Sequence, residues 1–295
     1  MMRSLALTGA LLLAGCAAAP AEVATVPAPP VAATGDSPPP QFQFLYGSAE
    51  AAALSEQAYR MLTLYAVGQT GQEMHASAVL APGATLADPK WVNCDTRPHA
   101  VVFDADETLI LNLGVEEHAA RTPGPFDVKQ WDRWEKTGAN GVVAVPGAVA
   151  ALTQLRAAGI TIIVNTNRNA ANPAGTIAAL KAAGLGDFKH GETLFLMGDV
   201  DGKSAKDARR AKIAGRYCVV ALVGDQLGDF SDLFNAISDP AERRRVASSG
   251  AVSKRFGMGW FVLPNPVYGA ALKGSYDQVF PSATRWVDPG EAGAN

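Results

Sequence analysis

The chain has 295 residues, 48% hydrophobic and 18% charged, with a formal net charge of -3. Its basic residues are dispersed, which excludes the cationic face that polymeric nucleic acid requires as a partner. Three cysteines are too few for a disulfide-stapled scaffold, and His75, His99, His118 and His190 lack metal-ligand spacing, which argues against a zinc hydrolase.

The N-terminus carries Arg3, an apolar run from Leu5 to Leu13, and then Ala14-Gly15-Cys16, the layout of a secretory leader. The run is shorter than the roughly 20 apolar residues of a bilayer-spanning helix. Leu13-Ala14-Gly15-Cys16 resembles the lipobox of bacterial lipoproteins. That resemblance implies a signal peptide over 1–15, lipidation at Cys16, and a membrane partner reached through the lipid, with export to the outer membrane. From Ala17 to Pro40 the chain is mostly alanine and proline, with seven prolines, and cannot bury enough apolar area to repay ordering. A tether over 16–45 is expected, then one domain over 46–288 and a short tail over 289–295.

Ser48 to Leu80 is alanine-rich, with Leu54, Ala58, Met61, Leu62 and Tyr65 at helical spacing, which predicts one or two amphipathic helices packed through those residues. From Ala100 the pattern changes to short apolar runs: Ala100–Phe103, Ile160–Val164, Thr193–Leu196, Tyr217–Val223 and Trp260–Leu263. Helical stretches separate most of them. Strands apolar throughout and alternating with helices predict an α/β fold, a doubly wound parallel sheet covered on both faces. Cys218 falls in the fourth run and reads as a small buried hydrophobe in preference to half of a bridge with Cys94.

Ligands of such a sheet bind beyond the carboxyl ends of its strands. The first run is followed by Asp104-Ala105-Asp106-Glu107-Thr108, the second by Asn165-Thr166-Asn167-Arg168, and the fourth by Gly224-Asp225-Gln226-Leu227-Gly228-Asp229. A lone D-x-D-x-T is weak, but these segments together place carboxylates and hydroxyls on one edge, which suits phosphoryl transfer. Asp104 is the candidate nucleophile and Asp106 the acid/base. Carboxylates and phosphate oxygens suit Mg2+, with Asp104 and Asp225 as ligands. Thr166 offers a hydroxyl to the phosphoryl group. Asp201-Gly202-Lys203-Ser204-Ala205-Lys206 opens a helix and supplies a lysine, either Lys203 or Lys206.

These four segments resemble the motifs of haloacid dehalogenase superfamily phosphatases. More narrowly, Trp131-Asp132-Arg133-Trp134-Glu135, Val145-Pro146-Gly147-Ala148 and Leu263-Pro264-Asn265-Pro266-Val267-Tyr268-Gly269 resemble the class C bacterial acid phosphatases, which are lipoproteins. The resemblance spans about 48 to 276. It implies a Rossmann-like sheet with a small helical cap over about 112–145, an N-terminal helical extension, and hydrolysis of phosphomonoesters through an aspartyl phosphate with Mg2+. Asp104 and Asp225 then hold the metal, joined by the backbone carbonyl of Asp106, and Asp229 holds a metal-bound water. Thr166, Asn167 and a lysine bind phosphate, while Trp131 and Tyr268 stack the base of nucleoside 5'-monophosphates. Gln226 stands where the family has asparagine, which is expected to weaken the orientation of Asp225. The alternative from another class is a surface ligand-binding lipoprotein, for example a haem carrier, on the same fold.

Overall fold

The computed structural model describes residues 37–286 and Asp288. The leader, Cys16, most of the tether and the tail from 289 lie outside the described residues. Helical backbone begins at Pro40–Phe42, where the Ala/Pro-rich composition ends, and continues as a wider π-type turn over Gln43–Gly47, so it occupies the last residues of the span 16–45 expected as tether. Proline has no N–H to lose at a helix's first position, so Pro40 can start one. Helix α1, Ala49–Gly68, is capped by Ser48, whose hydroxyl accepts from Ala51 N at 3.0 Å.

The buried face of α1 is Ala51, Ser55, Tyr59, Leu62 and Ala66, whereas Leu54 and Met61 are about half exposed. The helix is rotated relative to the expected stripe because the buried Tyr59 hydroxyl donates to Thr108 O at 2.5 Å. The helix also stops at Gly68. Residues Ala76–Leu80 form strand β1, which pairs antiparallel with β2, Trp91–Asn93. Gly71, at φ 77°, makes the turn between helix and strand, a conformation that glycine adopts without steric cost.

Five parallel strands make the main sheet: β3 (His99–Phe103), β6 (Thr161–Asn169), β7 (Leu194–Met197), β8 (Cys218–Gly224) and β9 (Trp260–Val262), in spatial order β7-β6-β3-β8-β9. The chain builds outward from β3 through β6 to β7, then returns to the other side of β3 for β8 and β9. The order reverses between β3 and β8, the place where doubly wound sheets open a crevice. Apolar side chains from both faces of β3 and β8 enter two buried clusters, one holding Val101, Phe103, Ala221 and Val223 and the other Ala100, Val102, Val219 and Leu222.

The insertion after β3 has antiparallel stems, β4 (Ile110–Leu111) and β5 (Val143–Ala144), and two helices, α2 (Leu113–Arg121) and α3 (Val128–Thr137). This small cap is held to the core by buried polar bonds. The Glu135 carboxylate accepts from Asn169 N at 3.0 Å and from Asn172 Nδ2 at 2.8 Å, and Trp134 Nε1 donates to Asn112 Oδ1 at 3.0 Å. A Cβ on Gly175 would lie 1.9 Å from Glu135 O, so only glycine lets the cap helix approach this closely.

Cys94 and Cys218 are joined in a disulfide, which overturns the expectation of a free buried thiol at Cys218. The run around Cys218 is apolar because it is a buried strand. Nothing in that pattern reveals that the turn after β2 brings Cys94 beside it. The bridge closes 124 residues of chain, a loop whose entropic restraint is worth about 5 kcal/mol.

Candidate active site

Asp104 directly follows β3, and its N–H continues the ladder to Val223 O at 2.9 Å. Asp225 directly follows β8, across the crevice. Asp229 arrives one short turn later. Carboxylate oxygens of Asp104, Asp225 and Asp229 all lie within 4.8 Å of one another, and all three residues are buried.

Lys206, at the start of helix α4 (Asp207–Ala214), supplies the positive charge. Its Nζ donates to Asp104 Oδ1 and, at 2.6 Å, to Asp229 Oδ1, and its side chain is 7% exposed. Asp232 holds that turn by accepting from Lys206 N and Asp207 N. Lys203 lies on the exposed part of the same loop. Of the two lysines left open by sequence, the fold brings Lys206 to the carboxylates and leaves Lys203 outside.

Asp225 is held on both oxygens. Thr108 Oγ1 donates to Oδ1 at 3.1 Å, while Asn265 Nδ2 and Gln226 Nε2 donate to Oδ2 at 2.7 and 3.0 Å. Gln226 therefore orients Asp225, contrary to the expected weakening, and its longer side chain also reaches Tyr268 O at 3.2 Å. A Cβ on Gly269 would lie 2.2 Å from Gln226 Oε1, so the glycine makes room for the longer amide.

The carboxylate of Asp106 stands apart from the acidic trio. Its Oδ1 accepts from Arg168 Nε at 2.9 Å and Asn112 Nδ2 at 3.0 Å, and no described residue donates to its Oδ2. Arg168 is 1% exposed and also donates to Asn112 Oδ1 at 2.8 Å. Thr166, Asn167 and Arg168 lie within β6, which runs on to Asn169 where sequence placed them just beyond a strand end. The strand continues because its last residues pair with β7 alone and their polar side chains find fixed partners. Thr166 is buried and Asn167 is exposed. Trp131 lies at the cap, its ring 5.8 Å from Arg168 Cζ. Tyr268 is 36% exposed, but its hydroxyl donates to Glu107 Oε2.

Several residues here carried no recognised sequence signal. Arg209 donates to Thr166 O and, at 2.5 Å, to Asn167 Oδ1, so it ties the end of β6 to the lysine loop. Arg210 donates to Gly228 O and Asp229 O at 3.0 and 2.8 Å and thereby fixes the turn carrying Asp229. Glu107, at φ 52°, accepts from Asn112, Tyr46 and Tyr268. The carbonyls that Arg209 and Arg210 bond and the phenols that bond Glu107 come from distant parts of the chain, which no local pattern registers.

The model of the family described as HAD superfamily, subfamily IIIB (Acid phosphatase), matches residues 48–271, about three quarters of the chain. The chain belongs to this acid phosphatase subfamily. Its fold is similar to the class C acid phosphatase from Bacillus anthracis, at 24% identity and a TM-score of 0.61 over 78% of this chain and 84% of that one. A second structure of the Bacillus anthracis class C enzyme, with tungstate bound, is similar at 22% identity and a TM-score of 0.61, covering 81% of this chain and 92% of that one.

In this acid phosphatase, three carboxylates face one ammonium in a site with little solvent. Burial pushes Asp104 well above the usual carboxylate range despite Lys206, and it pushes Asp225 up too, with Asp229 adding repulsion. An all-oxygen, buried and negatively charged donor set fits a small hard divalent cation. Asp104, Asp225 and Asp229 are the side chains that could hold it. Glu107 is pushed up to about 8 by burial and by Asp106.

Carboxyls with raised values bind protons in the native state that the unfolded chain has lost, so stability must fall as pH rises. The contribution is fully present below about pH 4 and is lost as pH rises through about 8. The metal-free protein is expected to melt several degrees lower at pH 8 than at pH 5, and a divalent cation is expected to restore more of the midpoint at pH 8. Calorimetry in EDTA checks this; a midpoint that rises with pH contradicts it.

Proposed function

We propose that this acid phosphatase hydrolyses small phosphomonoesters, nucleoside 5'-monophosphates among them, through an aspartyl phosphate on Asp104 with Mg2+ as cofactor. The observation that carries this reading is the buried grouping of Asp104, Lys206, Asp225 and Asp229 at the β3/β8 crevice. Tungstate is a tetrahedral oxyanion like phosphate, so its presence in the Bacillus anthracis relative is consistent with it.

Asp104 Oδ1 is bonded to Lys206, which fixes the carboxylate and leaves Oδ2 for attack on phosphorus. Asp106 presents Oδ2 in the same way, since Arg168 and Asn112 both take Oδ1. It donates a proton to the departing alcohol and then takes one from the hydrolytic water. Lys206 and Thr166 receive phosphoryl oxygens. A bound divalent cation would supply charge neutralisation at those oxygens.

Purified protein with Mg2+ is expected to release phosphate from p-nitrophenyl phosphate and from nucleoside 5'-monophosphates, and EDTA is expected to remove at least about 99% of that activity. No turnover of either substrate, or full activity in EDTA, rejects the reading. Trp131→Ala is expected to raise KM for a nucleotide several-fold more than for p-nitrophenyl phosphate, because stacking on an aromatic face contributes about 1–3 kcal/mol. Equal effects would remove Trp131 from the base site.

The reading extends to location, with export to the outer membrane and anchoring through lipidated Cys16. It is supported by the leader pattern and by the Cys94–Cys218 bridge, which persists in oxidising compartments. Radiolabelled palmitate incorporated by the native chain and lost in Cys16→Ser is the expected result; labelling that survives the substitution contradicts it.

A further inference from the structure

Glu116 lies in the first turn of α2, four residues after Asn112, so the two side chains share one face of the cap helix. Asn112 uses that face to bond Asp106 and Glu107. Glu116 is only 9% exposed, yet it receives no hydrogen bond and no ion pair from any described residue. Its oxygens are not among the fully enclosed polar atoms without partners, which are Asn165 Oδ1 and Arg209 Nε, so they open to solvent.

Its surroundings deepen the imbalance. Burial and the Asp106 charge push Glu116 up to about 7, and its own charge raises Glu107 and Tyr46 in turn. The Tyr46 hydroxyl is committed to Glu107. Arg168, the cation beside Asp106, is spent on Asp106 and Asn112. A largely buried carboxylate without a partner is costly to keep. Here it lies on the helix face that, through Asn112, bonds the proposed proton donor, and its charge and that of Asp106 are felt by one another. The departing alcohol takes its proton from Asp106, so it is the part of the substrate nearest to this face.

We propose that Glu116 selects the leaving group, accepting a hydrogen bond or a positive charge from an amino-bearing alcohol or phenol and repelling leaving groups that carry a carboxylate. This rests on the phosphomonoesterase reading and adds the substrate class of the same site. The preferred substrates are phosphomonoesters whose organic half bears an ammonium or amino donor.

The test compares 4-(aminomethyl)phenyl phosphate with 4-carboxyphenyl phosphate, near-isosteric esters of opposite leaving-group charge, at roughly pH 8, where Glu116 is ionised. p-Nitrophenyl phosphate serves as reference. The native enzyme is expected to favour the cationic ester in kcat/KM by about tenfold or more, and Glu116→Gln to bring that ratio close to one. A native ratio at or below one overturns the proposal without recourse to any variant. A native preference that Glu116→Gln leaves intact overturns it too, because another group then makes the selection. Absence of p-nitrophenyl phosphate turnover in the native enzyme defeats the phosphomonoesterase reading, and the proposal with it. Glu116→Gln is also expected to melt no lower than the native protein, since it removes an unpaired buried charge without changing shape.

Discussion

Asp104→Asn is expected to lower kcat/KM for p-nitrophenyl phosphate by at least about 10^4-fold, roughly 5.5 kcal/mol of transition-state stabilisation. The amide keeps the shape of the carboxylate and can still sit beside Lys206, but it is not a nucleophile toward phosphorus. Stability should move little. Burial holds the native Asp104 carboxyl well above its usual range, so removing its charge relieves part of the desolvation cost while losing one bond to Lys206. Steady-state kinetics paired with a melting curve check both halves. A variant that is inactive because it is unfolded does not meet this expectation, and one that retains more than about a hundredth of native activity contradicts the assignment.

Lys206→Met is expected to damage both function and fold. The lysine is the ammonium shared by two buried carboxylates, Asp104 and Asp229. Removing one partner of a buried pair typically costs about 3–5 kcal/mol, because the remaining charge is left uncompensated. For a domain of this size, that is a fall in Tm of roughly 6–20 °C. Activity should fall about 10^2- to 10^4-fold, the range for deleting a charged group aimed at developing negative charge. Mg2+ should recover part of the Tm by binding the uncompensated carboxylate charge, and none of the lost phosphate contact. Lys203→Met, on the exposed turn, should change neither Tm nor kcat/KM appreciably. If the two variants behave alike, the lysine has been misplaced.

The nucleophile segment and the sheet were legible because a doubly covered parallel strand must be apolar along its whole length. That makes its carboxyl end easy to find and Asp104 and Asp225 conspicuous there. The choice between Lys203 and Lys206 was not legible, because it depends on Asp232 capping the helix at Lys206, a contact across 26 residues. Arg209 and Arg210 look like an exposed basic pair, yet both are fully buried, absorbed by the backbone carbonyls of Thr166, Gly228 and Asp229. The buried face of α1 departs from its hydrophobic stripe for a related reason. Leu54 and Met61 are more hydrophobic than Ala51 and Ser55, but Tyr59 must reach Thr108 O, and the rotation that permits this exposes the larger side chains. Local hydrophobicity finds elements. Long-range polar bonds decide their phase and the residues that support the site.

Those polar bonds also explain why Asp106 differs from Asp104 although both follow the same strand. One faces an ammonium and two carboxylates, and the other faces a guanidinium and an amide. Two carboxylates in such different surroundings suit two different tasks, attack and proton transfer.

The claim that Asp104 carries the phosphoryl group is tested most directly by trapping it. Enzyme turning over a phosphomonoester is quenched with sodium borohydride, which reduces an acyl phosphate to the alcohol, and position 104 is read by peptide mass spectrometry. Homoserine at position 104, appearing only with substrate present, is the result expected. Intact aspartate at 104 together with reduction at another carboxylate, or reduction nowhere during steady turnover, would contradict it.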